Sequence, residues 1–148
     1  MILDIVQHPD QRLREVCMSA SDVQPQLIED MFETMYNAPG RGLAAPQVGV
    51  MCRVFVMDAT WKEGDMEPIA FINPEITAHG GEQNNQEACL SIIDYALEVA
   101  RPAWVDVSWS DIEGLRQHSR FEGFAAACVC HEMDHLDGKL IIDYERAR

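Results

Sequence analysis

Positive charge is scarce in this chain. Eleven lysines and arginines stand against 25 aspartates and glutamates, giving a formal net charge of −14. Such a surface disfavours polyanionic partners and argues against docking on nucleic acid, anionic membrane or ribosomal RNA. No apolar run is long enough to span a bilayer. The opening Met1-Ile2-Leu3-Asp4 lacks the basic start and apolar stretch of a secretion signal, so a cytoplasmic location is expected. Internal repeats, low-complexity tracts and Pro/Gly/Ser linkers are also lacking, and residues 1–148 are read as one domain. The five cysteines (Cys17, Cys52, Cys89, Cys128, Cys130) are odd in number and irregular in spacing. They argue against a disulfide framework and for free thiols, one of them a candidate metal ligand. What is present is ordinary for a globular protein: 47% hydrophobic and 24% charged residues, in a chain long enough to bury a core without cross-links.

The first twenty residues read as irregular, with a turn at Pro9-Asp10. Residues 24–38 carry Leu27, Ile28, Met31, Phe32 and Met35 on one stripe, which predicts an amphipathic helix stopped by Pro39-Gly40. Strands are expected over 52–58 and 69–73, with 75–78 continuing the sheet beyond Pro74. Val105, Val107 and Trp109 alternate and predict a strand over 104–109. A turn at 111–114 would return it as an antiparallel strand over 115–121. Residues 124–136 are apolar and alanine-rich, with no breaker inside, and predict a helix buried on most sides, capped by Gly138. Residues 139–144 are expected to form a last short strand. The class is α+β: a single domain of mostly antiparallel short strands packed around a buried C-terminal metal-binding helix.

That helix carries His131-Glu132-Met133-Asp134-His135, an H-E-x-x-H pattern. Residues four apart share a helix face, so both imidazoles can grip one metal ion while the glutamate sits beside a reacting water. Buried imidazoles and carboxylates without partners cost several kcal/mol, and a shared metal removes that cost. A third ligand is needed. Ile141 stands where metzincin proteases place their third histidine, so that class fails. Only 13 residues follow His135, which makes Asp143 and Glu145 poor candidates and points upstream, to His8, His79, His118 or a cysteine. Cys89 lies in an extended segment and would complete a three-ligand site with an open fourth position. Cys128 is a rival on the same helix face as His131. However, Cys128, His131 and His135 on one straight helix span too far for a single ion, so Cys128 is expected to line the pocket.

Three segments carry a family resemblance. Residues 40–47, Gly-Arg-Gly-Leu-Ala-Ala-Pro-Gln, resemble the G-x-G-L-A-A-x-Q motif of peptide deformylases. Residues 87–91, Glu-Ala-Cys-Leu-Ser, resemble their E-G-C-L-S motif, and residues 131–138 match their H-E-x-D-H-L-x-G. Order and separations also agree. The resemblance implies a metal-dependent amidase that removes the formyl group from N-formylmethionyl peptides at the start of nascent chains. It implies Cys89, His131 and His135 as ligands of one divalent ion, Fe(II) first, with Zn(II), Ni(II) or Co(II) in prepared protein. Glu132 would be the general base, and the Gln47 amide and the Leu90 backbone N–H would face the oxyanion. Gly40, Arg41, Gly42, Glu87, Phe124, Ala127 and Cys128 would surround the substrate. Arg101 would pair with Glu87 and hold the Cys89 strand.

The pattern departs from the family at several positions. Arg41 replaces an isoleucine or valine of the methionine pocket. It would crowd or polarise that pocket, or turn to solvent and stack over the entrance. Phe124 and Ala127 alter the pocket on two sides. Ala88 replaces a glycine, which is tolerable only away from positive φ. Cys130 replaces a glutamine, and Ile93 replaces a proline. None of these is a ligand, the base or an oxyanion donor. A same-scaffold amidase with another side-chain or acyl preference, and a catalytically silent metal-binding interaction protein, are the alternative readings. The charge and the short stretch after Tyr144 lead to an expectation of weak or no ribosome binding.

Overall fold

In the computed structural model, which describes residues 1–145, helix α1 (Pro25–Asn37) opens on a proline, whose missing N–H costs nothing in a first turn. Ile28, Met31 and Met35 recur at helical spacing and are buried. The N–H groups of Ala38 and Gly40 return to the Thr34 and Met35 carbonyls and end the helix.

Seven strands follow: β1 (Gly42–Ala44), β2 (Val54–Met57), β3 (Ile69–Gly80), β4 (Gln83–Cys89), β5 (Ile92–Arg101), β6 (Trp104–Ser110) and β7 (Arg116–Glu122). Five make an antiparallel sheet in the order β1-β2-β3-β6-β7, and β4-β5 is a separate hairpin. Helix α2 (Phe124–Leu136) follows β7.

Side chains alternate across a strand, and here that alternation sorts the core in two. Leu43, Val54, Val56 and Ile72 meet Met31 and Met35 of α1. Ala44, Phe55, Met57, Phe71, Val105, Val107 and Trp109 meet Ala126, Val129 and Leu136 of α2. All four residues of β2 are buried because both of its faces are covered. Phe55 and Phe71 stack with centroids 4.4 Å apart, and Trp109 tilts against Phe71 at 4.7 Å. Each such buried side chain contributes roughly 1.5–3 kcal/mol of transfer free energy.

Helix α2 keeps its expected bounds. Its first turns are alanine, which lets it pass close over β1. It ends where Gly138 takes φ 74 and donates to the His135 carbonyl (3.2 Å), while Lys139 donates to that of Asp134 (2.8 Å).

Three expectations change. Residues 69–80 form one strand that runs through Pro74, with a register shift after Ile72. Asn73 takes φ 49 there, and its amide bonds both the N–H and the carbonyl of Ala20. The β4-β5 hairpin was expected only as an extended stretch around Cys89. Residues 139–144 do not form a strand: Ile141–Tyr144 is a 3₁₀ turn. The Asp143 carboxylate accepts from Leu140 N–H (3.0 Å) and from Arg14 (2.7 Å), which closes the backbone on itself. The end of the chain after Glu145, on which the ribosome expectation partly rested, lies outside the described residues.

Candidate active site

Glu87 and Cys89 are two apart on β4, so both point to the same face, and both are buried against α2. From α2, His131 and His135 project toward them. The Cys89 thiol and one nitrogen of each histidine all lie within 4.8 Å of one another. His135 Nε2 is 3.4 Å from Cys89 Sγ, and the two imidazole centroids are 5.0 Å apart. Cys128 stands outside this cluster, its Sγ 3.8 Å from the Arg41 carbonyl. His8, His79 and His118 are exposed and are not part of the cluster.

A buried network holds the cluster in place. His131 Nδ1 donates to Glu87 Oε1 at 3.0 Å, which orients the ring and turns Nε2 toward the cluster. Arg101 donates to both oxygens of Glu87 at 2.8 Å and to Asp134 Oδ2 at 2.8 Å. Tyr144 donates to the same Asp134 oxygen, and its ring lies 4.9 Å from the guanidinium carbon. Glu87 borders the cavity described below, but both its oxygens are taken, so its geometry is that of a brace rather than of a substrate contact. Burial alone would raise its pKa; the bonds from Arg101 and His131 outweigh burial and hold it below the usual glutamate range.

The two histidines shift in opposite directions. Burial disfavours an imidazolium at His131, yet the hydrogen bonds to Cys89 and Glu87 prevail and lift it to about 10. Burial and the neighbouring His131 push His135 down. The cluster thus draws in one positive charge, which a shared cation supplies to all three donors at once. Among the described residues, the buried side-chain N and O atoms without a hydrogen-bond partner are Glu132 Oε1 and His135 Nδ1, both at this site. The Glu132 orphan costs about 1–3 kcal/mol and marks a place beside the cluster where a polar ligand belongs; His135 Nδ1 is the ring nitrogen turned away from Cys89, which Nε2 faces. Thiolate plus two imidazoles suits Fe(II) or Zn(II) better than Mg(II) or Ca(II). The residues therefore fit a transition metal.

Glu132 is buried, and burial lifts its pKa to about 7. Its carboxylate lies against Gly42: a Cβ there would come within 2.5 Å of Glu132 Oε2 and 3.1 Å of Cys128 Sγ. Gln47 is fixed from two sides. Ala44 N–H donates to its Oε1 (3.0 Å), which turns its amide nitrogen toward Ser91 Oγ (3.0 Å) and Cys89 Sγ (3.7 Å). Leu90 and Ser91 form the two-residue turn between β4 and β5. The N-terminal segment pins that turn through Gln7 to the Leu90 carbonyl (2.9 Å) and His8 N–H to the Ser91 carbonyl (2.8 Å).

A cavity of about 360 Å³ opens onto this assembly. Gly40, Arg41, Gly42, Gln47, Glu87, Cys89, Leu90, Phe124, Ala127, Cys128, His131 and Glu132 all border it; His135 lies behind it, and Arg101 faces the other side of α2. Ala88 lies in β4 just before a register shift at Cys89 and is outside the residues at positive φ. Sequence reasoning missed the part of Ser91, and also Lys62, Asn85 and Gln86 in the wall. Ser91 stood inside a quoted motif, whereas Lys62 had no local signal.

A catalytic-type glutamate, a Cys/His/His cluster and a preset amide donor, set in an α+β frame, define a metal-dependent hydrolase of amides. The chain belongs to the polypeptide deformylase family, whose model matches residues 2–148. It is 48% identical to the peptide deformylase of Afipia carboxidovorans, over 97% of this chain and 86% of that protein. It is 47% identical to that of Zymomonas mobilis, over 97% and 85%. The crystal structure of a peptide deformylase from Legionella pneumophila superposes with a TM-score of 0.93 at 39% identity, covering 99% of this chain and 87% of that one. The enzyme removes the N-formyl group from nascent peptides. No helix among the described residues is long and apolar enough to cross a membrane.

Proposed function

We propose that Cys89, His131 and His135 hold one divalent ion, Fe(II) in the cell, and that Glu132 is the general base for hydrolysis of N-formylmethionyl peptides to formate and a free amine. A bound ion supplies Lewis acidity, which acidifies water and polarises the formyl carbonyl. Glu132 accepts the proton of the attacking water and delivers it to the departing amine; a carboxyl lifted by burial is basic enough for the first step and acidic enough for the second. Gln47 Nε2, in exchange for its 3.7 Å contact with Cys89 Sγ, and the Leu90 N–H donate to the oxygen as it gains charge. Gly42 lets the peptide backbone approach, and Phe124, Ala127 and Cys128 surround the methionine side chain. Glu87 and Arg101 orient His131.

The observation that carries this reading is the convergence of the three donors beside the unpartnered Glu132 Oε1. With a net charge of −14, the enzyme works in the cytoplasm on peptide N-termini, with weak or no binding to ribosome, nucleic acid or membrane. The test is formate release from formyl-Met-Ala-Ser by anaerobically prepared Fe(II) protein. Glu132→Gln should lose about 10²–10⁴-fold in kcat while keeping its metal. Full activity in that variant would remove the base assignment.

A further inference from the structure

Arg41 answers its own sequence question. Its guanidinium carbon lies 4.9 Å from the centre of the half-exposed Phe124 ring, and Nη2 is 2.9 Å from Glu63 Oε1. The cation has turned to the mouth of the cavity and stacks on the aromatic rim. The loop that supplies Glu63 and Lys62 is fastened to the Arg41 loop. Asp58 N–H donates to the Arg41 carbonyl (2.8 Å), Trp61 Nε1 to the Gly40 carbonyl (2.9 Å), and Tyr36 OH to Asp58 (2.6 Å). Lys62 borders the same cavity.

Of the charged residues that border the cavity, Arg41 and Lys62 are the cations, Glu87 is consumed by Arg101 and His131, and Glu132 is buried inside; Glu63 reaches Arg41 from the adjoining loop. The Arg41–Glu63 pair is open to water, so it is held weakly and exchanges readily for another carboxylate. The stack on Phe124 keeps the guanidinium in place for that exchange.

We propose that Arg41, with Lys62 beside it, selects formylated substrates that carry an aspartate or glutamate just downstream of the formyl-methionine, the substrate carboxylate replacing Glu63 on the guanidinium. This rests on the reading of the cavity as the formyl-peptide site.

The test measures formate release by metal-loaded protein on formyl-Met-Asp-Ala-amide and formyl-Met-Ala-Asp-amide, with asparagine and lysine counterparts. The terminal amide removes a competing carboxylate. The acidic peptides should exceed the asparagine ones by about fivefold in kcat/KM, through KM, and the margin should shrink as salt rises. Arg41→Met should bring that ratio close to one, and Glu63→Gln should widen it. Calorimetric titration with the products Met-Asp-Ala-amide and Met-Asn-Ala-amide should give the same order without turnover. Equal rates on acidic and neutral peptides, or a ratio untouched by Arg41→Met, overturn the proposal. Metal-loaded protein that releases no formate from any peptide defeats the deformylase reading, and this selectivity with it.

Discussion

Replacing Arg101 with methionine tests the network behind the metal cluster. The arginine side chain is 4% exposed and bonds Glu87 twice and Asp134 once, with those two carboxylates only 8% and 17% exposed. Methionine fills much of the volume but leaves both acids without their counter-charge. Breaking a buried pair from one side costs about 3–5 kcal/mol. In a domain of this size that lowers Tm by roughly 6–20 °C. With the guanidinium gone, only the His131 bond still opposes burial at Glu87, so its pKa rises and the acceptor that orients His131 is weakened. Loss of such support typically costs 10–100-fold in metal affinity. The double variant Arg101→Met with Glu87→Met should recover part of the lost stability, since the most buried charge is then gone too. It should not recover the metal, because His131 Nδ1 still lacks its partner. Thermal melts and chelator competition measure both quantities. A single variant that melts within about 2 °C of the parent and holds metal equally well would refute the reasoning, as would a double variant that regains full affinity.

Gly42→Ala places a methyl against the Glu132 carboxylate and the Cys128 sulfur; we expect at least a tenfold fall in kcat with about 1–3 kcal/mol of destabilisation from crowding, read by kinetics and denaturant melts. Glu87 and Asp143 both have pKa values held below the ordinary carboxylate range, Glu87 by Arg101 and His131 against burial, Asp143 by Arg14. Their stabilisation is therefore complete above the unfolded-state pKa of about 4 and is lost as pH falls through the depressed values. Below about pH 4 Tm should fall more steeply in the parent than in Arg101→Met; equal slopes in the two proteins over that acid range would contradict the assignment.

Much of this was legible because the signals are local. Helix α2 was readable to the residue from an apolar run without breakers and a glycine just past its end. The alternation of Val105, Val107 and Trp109 placed β6. The β4-β5 hairpin was not readable: Asn84, Asn85 and Gln86 have low strand propensity, and the turn Leu90-Ser91 lacks the glycine or asparagine that marks a hairpin. Pro74 suggested a stop, but the Asn73 bulge carries the strand past it because its side chain finds Ala20. The last segment had the apolar content of a strand and became a turn because Asp143 bonds its own backbone and Arg14.

The spacing of residues along single elements was settled by sequence alone: two imidazoles and a carboxylate one turn apart on α2, Glu87 and Cys89 two apart on an extended segment. Those relations follow from helix pitch and strand alternation and need no tertiary information. Tertiary structure settled what side chains from different elements do to one another. It turned Arg41 out to Phe124 and Glu63 and spent both oxygens of Glu87 on Arg101 and His131. It also aimed the Gln47 amide by occupying its oxygen. Orientation of a long or forked side chain depends on which partners arrive from elsewhere in the chain, and pattern along the sequence does not encode that.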